Sequence, residues 1–225
     1  MSASKLRDYL MLMRAPLAFT AIADGLVGCG LALSISNASG SLLKHSNALI
    51  LVAISSCAAY LAGMVFNDYF DRERDRTLKP NRPLASGRIS AKVAFSLGLF
   101  LLLLSITMAV LCGSHALYWN LGLILSVLAY DGLLKSYRGA GSLAMASCRC
   151  LNILFGAAAI TPLQANDFRP FAGHNPAIPM ALASLCYIFS LTLLSTYEDE
   201  EAPTLSLLGG ALSLFLTPVF LITSH

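Results

Sequence analysis

Apolar residues run along the chain in stretches of about 20, the length that crosses the hydrocarbon core of a bilayer, and polar residues collect in the short segments between them. Runs of this kind fall at residues 15–36, 47–66, 91–112, 116–134, 142–162, 177–197 and 204–222. The pattern predicts an all-α protein: a polytopic transmembrane helix bundle of about seven helices, formed as a single domain over residues 1–225. Ahead of the first run, SKLRDYLMLMRAPLAF has the amphipathic pattern of a helix lying on the membrane interface, and the chain is expected to turn inward at Arg14-Ala15-Pro16. The second run carries Ala58, Ala59, Ala62 and Gly63, small residues that let helices approach closely.

Composition strengthens this reading. Hydrophobic residues make up 56% of the chain and charged residues 12%, against about 25% charge in a soluble domain. In the topology above, Lys5, Arg7, Arg14, Arg72, Arg74, Arg76, Lys79, Arg82, Arg88, Lys92, Lys135 and Arg138 fall on one side of the membrane. Only Lys44 and Arg169 fall on the other, so the first side is predicted to be cytoplasmic. The net charge of +3 reflects this bias, and no nucleic-acid partner is expected from it. The 6 cysteines all lie in predicted helices and read as small apolar packers; Cys148 and Cys150 match no common zinc spacing. The first apolar run is too long for a cleavable signal peptide and shows no clear small-residue cleavage site.

One stretch breaks the apolar pattern. From Asn67 to Ser90 the chain reads NDYFDRERDRTLKPNRPLASGRIS. On a helix Asp68, Asp71 and Asp75 stand at i, i+3 and i+7 and share a face, where three carboxylates repel one another unless a cation neutralises them. Mg2+ fits such a face because it takes oxygen ligands and is usually held by one or two carboxylates plus the phosphates of a substrate. The same spacing also suits a solvated segment in which Arg72, Arg74 and Arg76 pair with the acids. Further on, Lys79, Arg82 and Arg88 are interspersed with Pro80, Pro83 and Gly87, which forces the helix to give way to a constrained basic loop. That loop either caps an anion or follows from the cytoplasmic charge bias alone.

Several polar residues sit inside the apolar runs. Arg14 stands at the water edge, either snorkelling to headgroups or pointing into a cavity. Asp24, about two turns deeper, needs a partner or a water-filled cavity, as a functional acid or as a structural one. Tyr130, Asp131 and Lys135 close the fourth run, with Asp131 and Lys135 spaced to pair on a helix. Arg149 and Asn152, at i and i+3, are expected to turn one helix face towards a polar interior, because arginine is costly against lipid. Glu198, Asp199, Glu200 and Glu201 form a second acidic patch on the side of the first, which reads as a trace of internal duplication or as a solvated helix end.

The signature Asn67-Asp68-x-x-Asp71-x-x-x-Asp75, followed by Arg82-Pro83-Leu84 and Gly87-Arg88-Ile89-Ser90, resembles that of the UbiA-type intramembrane prenyltransferase superfamily; Tyr130 with Lys135 matches its second-half tyrosine–lysine motif. The likeness spans nearly the whole chain. The Asp24 region, Val65-Phe66-Asn67-Asp68, Tyr130-Asp131, and Cys148-Arg149 with Asn152 are most similar to the EboC-like branch. The resemblance implies a UbiA-like bundle around a central cavity, with a lipid-side opening for an isoprenyl chain. It implies Mg2+ at Asp68, Asp71 and Asp75, and catalytic roles for Asp68, Asp71, Tyr130 and Lys135. Substrate contacts would come from Arg14, Asp24, Asn67, Arg72, Lys79, Arg82, Arg149, Asn152 and Glu198. The implied partners are an isoprenyl diphosphate, a small-molecule acceptor that is often aromatic, and the lipid bilayer. The implied reaction is ionisation of the allylic C–O bond, followed by attack of the acceptor on the carbocation.

Two departures stand out. The family's second Asp-x-x-x-Asp motif is absent, and Glu198–Glu201 stand in its place without that spacing. The chain also has fewer predicted helices than the family, as expected of a short variant, a truncated one, or part of an assembly whose protein partner closes the open side of the bundle. A non-catalytic member that binds or transports a lipid-like metabolite is the alternative function. A CDP-alcohol phosphotransferase fits less well, because its pattern places glycine directly after the second aspartate, where this chain has Arg72.

Overall fold

The computed structural model describes residues 3–35, 45–161, 163 and 175–196. Helix α1 (Ala3–Met13) precedes a 3-10 turn at Ala15–Leu17. Then come α2 (Ala18–Ile35), α3 (Ser46–Phe70), α4 (Arg72–Leu78), α5 (Ala91–Cys112), α6 (Ser114–Ala129), α7 (Arg138–Ala158) and α8 (Ala177–Ser195). A π turn at Tyr130–Leu134 joins α6 to the segment before α7. Among the described residues there is no strand. The all-α expectation holds, and 6 segments are long and apolar enough to cross a membrane: Ala15–Ser34, Ser46–Phe70, Ala91–Cys112, Ser114–Leu134, Arg138–Ala158 and Ala177–Ser195. They coincide with the first six runs. The protein is therefore a multi-pass membrane protein, in which helices satisfy their own backbone polar groups. The seventh run, 204–222, lies outside the described residues, as do Glu198 and the acids beside it.

Packing follows chain order except at one closure. α2 lies against α3 and α7, α3 against α5, α5 against α6, and α6 against α7, while α8 covers α7. The α2–α7 contact brings backbones together: a Cβ at Gly156 would lie 1.9 Å from the Gly25 carbonyl oxygen, and one at Gly28 would lie 2.0 Å from that of Ile153. Only glycine permits such an approach. One turn from Gly156, the buried Asn152 ties three helices together, donating to the Ala21 carbonyl at 2.7 Å and accepting from Ser56 Oγ at 2.7 Å. On the other side of the bundle, Asn120 Nδ2 donates to Ser55 Oγ at 3.1 Å and Ser105 Oγ at 3.0 Å, joining α3, α5 and α6. Such interhelical bonds contribute about 0.6 kcal/mol each.

The basic loop after α4 is anchored rather than free. Leu84 and Ile89 are buried with Leu12 of α1, Val65 and Phe66 of α3 and Leu101 of α5. Gly87 takes φ +74°, a left-handed turn that favours glycine, and Ser90 caps α5 by accepting from the Val93 amide. Arg88 Nε donates to Asp8 Oδ1 at 2.9 Å, so α1 and the loop are also held by charge.

Candidate functional site

The junction of α3 and α4 sets the site. The Asp71 amide donates to the Asn67 carbonyl at 3.0 Å and the Asp75 amide to the Asp71 carbonyl at 2.8 Å, so helical spacing continues through the break. Asp68 and Asp75 therefore keep a common face, and both are buried. The anchored loop returns Arg82 over that face, with Nη1 2.9 Å from Asp68 Oδ1 and 2.6 Å from Asp75 Oδ2. Arg14 Nη2 donates to the same Asp68 oxygen at 3.3 Å. Arg14 has φ 46°, a left-handed conformation that costs a non-glycine residue on the order of 1–3 kcal/mol. It turns the chain from α1 into α2 and swings the guanidinium over α3.

The third carboxylate takes its cation from the other half of the chain. Lys135 Nζ lies 2.7 Å from Asp71 Oδ1. This corrects the expected Asp131–Lys135 pairing. Tyr130–Leu134 is wound as a π turn, with the Lys135 amide donating to the Tyr130 carbonyl at 3.1 Å, and the wider turn carries Lys135 round to Asp71. Asp131 is left buried, its Oδ2 without a hydrogen-bond partner among the described residues. Tyr130 is half-buried, within electrostatic reach of Asp71 and Arg14.

Three acids thus meet three cations at one end of the bundle. Beside them opens a cavity of about 510 Å³, lined by Met11, Arg14, Asp68, Leu78, Lys79, Pro80, Asn81, Arg82 and Pro83. Lys79 makes no ion pair with a described residue, and Asn67 is half-buried without a side-chain hydrogen bond to one. Arg72 is not brought to the site: it donates to the Tyr69 carbonyl at 2.9 Å, and its guanidinium sits 4.7 Å from the Tyr69 ring centroid. With Glu73 and Arg76, which pair at 2.5 Å, it forms the solvated ion-pair side of the segment. The solvated ion pairs expected from the spacing are thus present at Arg72, Glu73 and Arg76, apart from the buried Asp68 and Asp75.

Among the described residues no group of three or more His, Cys, Asp or Glu is gathered as a ready metal site. The donor chemistry nevertheless fits Mg2+. Asp68 and Asp75 aim oxygens at one positive centre, the Arg82 Nη1, and Asp68 also lines the open cavity, so carboxylate oxygens of the kind Mg2+ takes stand together at its edge.

Deeper in the membrane, Arg149 of α7 meets Asp24 of α2. Nη2 donates to Oδ1 at 3.3 Å, and Nε lies 3.0 Å from Oδ2 as an ion-pair contact. Asn152 lies one turn further along the same helix. Ser56 and Tyr60 of α3 belong to this face and escaped the sequence reading. Their signal was a polar stripe, Ser56, Tyr60 and Asn67, at helical intervals along an apolar run.

Fold and site define a polytopic helical membrane protein with a balanced carboxylate–cation cluster at the mouth of its bundle. Residues 26–222 match the UbiA prenyltransferase family, and the chain belongs to that family. Its relatives include digeranylgeranylglyceryl phosphate synthases. That of Methanocaldococcus jannaschii is 30% identical over 88% of this chain and 63% of the relative. That of Ignicoccus hospitalis is 32% identical over 85% of this chain and 57% of the relative. That of Methanococcoides burtonii is 39% identical over 53% of this chain and 44% of the relative. The chain thus spans about half the length of the curated relatives it matches. Among solved structures, one concerning digeranylgeranylglyceryl phosphate synthase in membranes superimposes with TM-score 0.75 at 26% identity, covering 96% of this chain and 76% of that one. A UbiA homologue from Archaeoglobus fulgidus, bound to DMAPP and Mg2+, shares the fold with TM-score 0.66 at 19% identity, over 96% of this chain and 72% of that one.

Proposed function

We propose that the chain transfers an isoprenyl group from an allylic diphosphate to a small-molecule acceptor within the bilayer, using Mg2+ held by Asp68, Asp71 and Asp75. The observation that carries the proposal is the single Arg82 nitrogen shared by Asp68 and Asp75 at the edge of an open cavity. Acids and cations already interleaved there suit a ligand that brings both metal and phosphate. The metal, when bound, would offset the negative charge gathering on the departing diphosphate. Arg14 and Arg82 would exchange carboxylate oxygens for phosphate oxygens, Lys79 would close from the loop, and Lys135 would donate from beside Asp71. Tyr130, near Asp71 and Arg14, would present an electron-rich ring close to the breaking bond. Arg72, turned onto Tyr69, is left out of this scheme.

The acceptor is either an aromatic ring or a hydroxyl. The relatives' name favours a glyceryl hydroxyl over the aromatic ring that the family likeness suggests. Further parts of the proposal are one domain over residues 1–225, the motif loops on the cytoplasmic side, an added ligand from Glu198, and a partner subunit closing the bundle. Likeness to the EboC-like branch, also part of the proposal, rests on the Asp24 region, Val65-Phe66-Asn67-Asp68, Tyr130-Asp131, and Cys148-Arg149 with Asn152.

Purified protein incubated with a panel of allylic diphosphates and Mg2+ tests the reading through pyrophosphate release. Release that varies with chain length supports transfer. Diphosphate binding without release from any member favours the second reading, a non-catalytic carrier of a lipid-like metabolite, to which the irregular acidic patch at 198–201 points.

A further inference from the structure

We infer that Asp131 is a second seat for the Lys135 amine, a positioning residue that takes Lys135 over from Asp71 when a metal ion occupies Asp71. This rests on the reading of Asp71 as a metal ligand and adds to it a buried residue that acts only through Lys135.

The π turn lies along one face of α3. Gly63, Asn67 and Asp71 stand at i, i+4 and i+8 and share that face, since helical spacing continues through Asp71. At its outer end Lys135 Nζ lies 2.7 Å from Asp71 Oδ1. About 12 Å back along the helix, Asp131 Oδ2 lies 3.9 Å from where a Cβ on Gly63 would stand. Asn67 stands between the two contacts, half-buried, so an amide rather than hydrocarbon separates them. Asp131 is 1% exposed, and its Oδ2 accepts no hydrogen bond from a described residue. Lys135 Nζ is buried as well, and it meets Asp71 as an ion pair without hydrogen-bond geometry. The turn thus holds an unused donor and an unused acceptor four residues apart. Because the Lys135 amide bonds to the Tyr130 carbonyl at 3.1 Å, Asp131, one residue nearer, stays on the Lys135 side of the turn.

Charge decides which seat the amine takes. Asp71 stands in a row with Asp68 and Asp75, whose cations are Arg14 and Arg82, so without a metal it needs Lys135 as its own counter-charge. A divalent ion on Asp71 supplies that charge and repels the ammonium. Driven into the interior with no carboxylate, the ammonium would be costly; Asp131 removes that cost, and Lys135 removes the cost of leaving Asp131 buried and unpaired. An ammonium has three donors, so one N–H directed at Asp131 leaves others for a substrate phosphate. Asp131 therefore frees Asp71 for metal and keeps the amine at the mouth, without touching either ligand.

The test is a double-mutant cycle on Mn2+ affinity, measured by electron paramagnetic resonance on the full chain in nanodiscs, with Asp131→Asn, Lys135→Met and the two combined. Asp131→Asn is expected to weaken Mn2+ binding by about tenfold, the worth of a hydrogen bond to a charged group, because Lys135 then stays on Asp71. Lys135→Met should strengthen it. Adding Asp131→Asn to Lys135→Met should cost little, because no amine is left to reseat. Unchanged affinity in Asp131→Asn overturns the inference, and so does a loss that is equal with and without Lys135, which would mark a plain charge or packing effect. If Asp131→Asn does not fold, a structure of the unmodified protein with Mn2+ decides: Lys135 Nζ hydrogen-bonded to Asp131 supports the inference, and Nζ still on Asp71 overturns it. Failure of both the unmodified protein and Lys135→Met to bind Mn2+ would overturn the metal reading itself, and this inference with it, whereas Mn2+ binding without coupling overturns the inference alone.

Discussion

Lys135 Nζ lies 2.7 Å from Asp71 Oδ1, tying the π turn after α6 to the junction of α3 and α4. Removing the amine leaves a carboxylate without its counter-charge and withdraws the donor proposed for the substrate phosphate. Lys135→Ala is therefore expected to weaken allylic diphosphate binding by about tenfold or more, since hydrogen bonds to charged groups contribute roughly 1.5–3 kcal/mol. Lys135→Arg should recover part of the loss. Titration of geranylgeranyl diphosphate in the presence of Mg2+ checks both.

Arg82 should give opposite signs for its two ligands. It stands between Asp68 and Asp75 where a metal would be shared, so Arg82→Ala is expected to raise affinity for Mg2+ alone by freeing two repelling carboxylates. The same change should lower affinity for the diphosphate with metal present. Parallel titrations measure the pair of effects; a loss in both would mean that Arg82 only holds the fold.

The α2–α7 contact predicts a stability difference between two glycines. Gly156→Ala drives a methyl into the Gly25 carbonyl, and overpacking of this kind costs about 1–3 kcal/mol. Gly30, on the same α2, has open space within 4 Å of where its methyl would stand, so Gly30→Ala should cause no loss. Thermal unfolding in detergent compares them.

Much of the fold was legible because the bilayer sets helix length, and composition alone reveals a run long enough to cross it. The carboxylate face was legible because Asp68, Asp71 and Asp75 sit on a helix whose spacing survives the junction at Asp71. Arg72 shows what charge alone omits: one residue past Asp71 it stands about 100° round the helix, and it packs on Tyr69. The π turn has no spacing signal, so regular helical spacing pairs Lys135 with Asp131, its i−4 neighbour. Arg82 reaches its acids only because Leu84 and Ile89 anchor the loop, which the sequence does not reveal as a contact.

The proposed orientation has its own check. Ser86 is exposed on the basic loop, and Ser86→Cys should react with a membrane-impermeant thiol reagent applied from the cytoplasmic side. Labelling from the opposite side alone would invert the topology.

Titration of geranylgeranyl diphosphate into the purified full chain, with and without Mg2+, probes the carboxylate–cation mouth most directly when repeated on Asp68→Asn and Asp71→Asn. Binding that requires Mg2+, and that falls by about tenfold or more in each folded variant, is the expected result, in keeping with a metal held by carboxylates and substrate phosphates together. Binding that is equally tight without Mg2+, or untouched by both substitutions, would contradict the metal-dependent site.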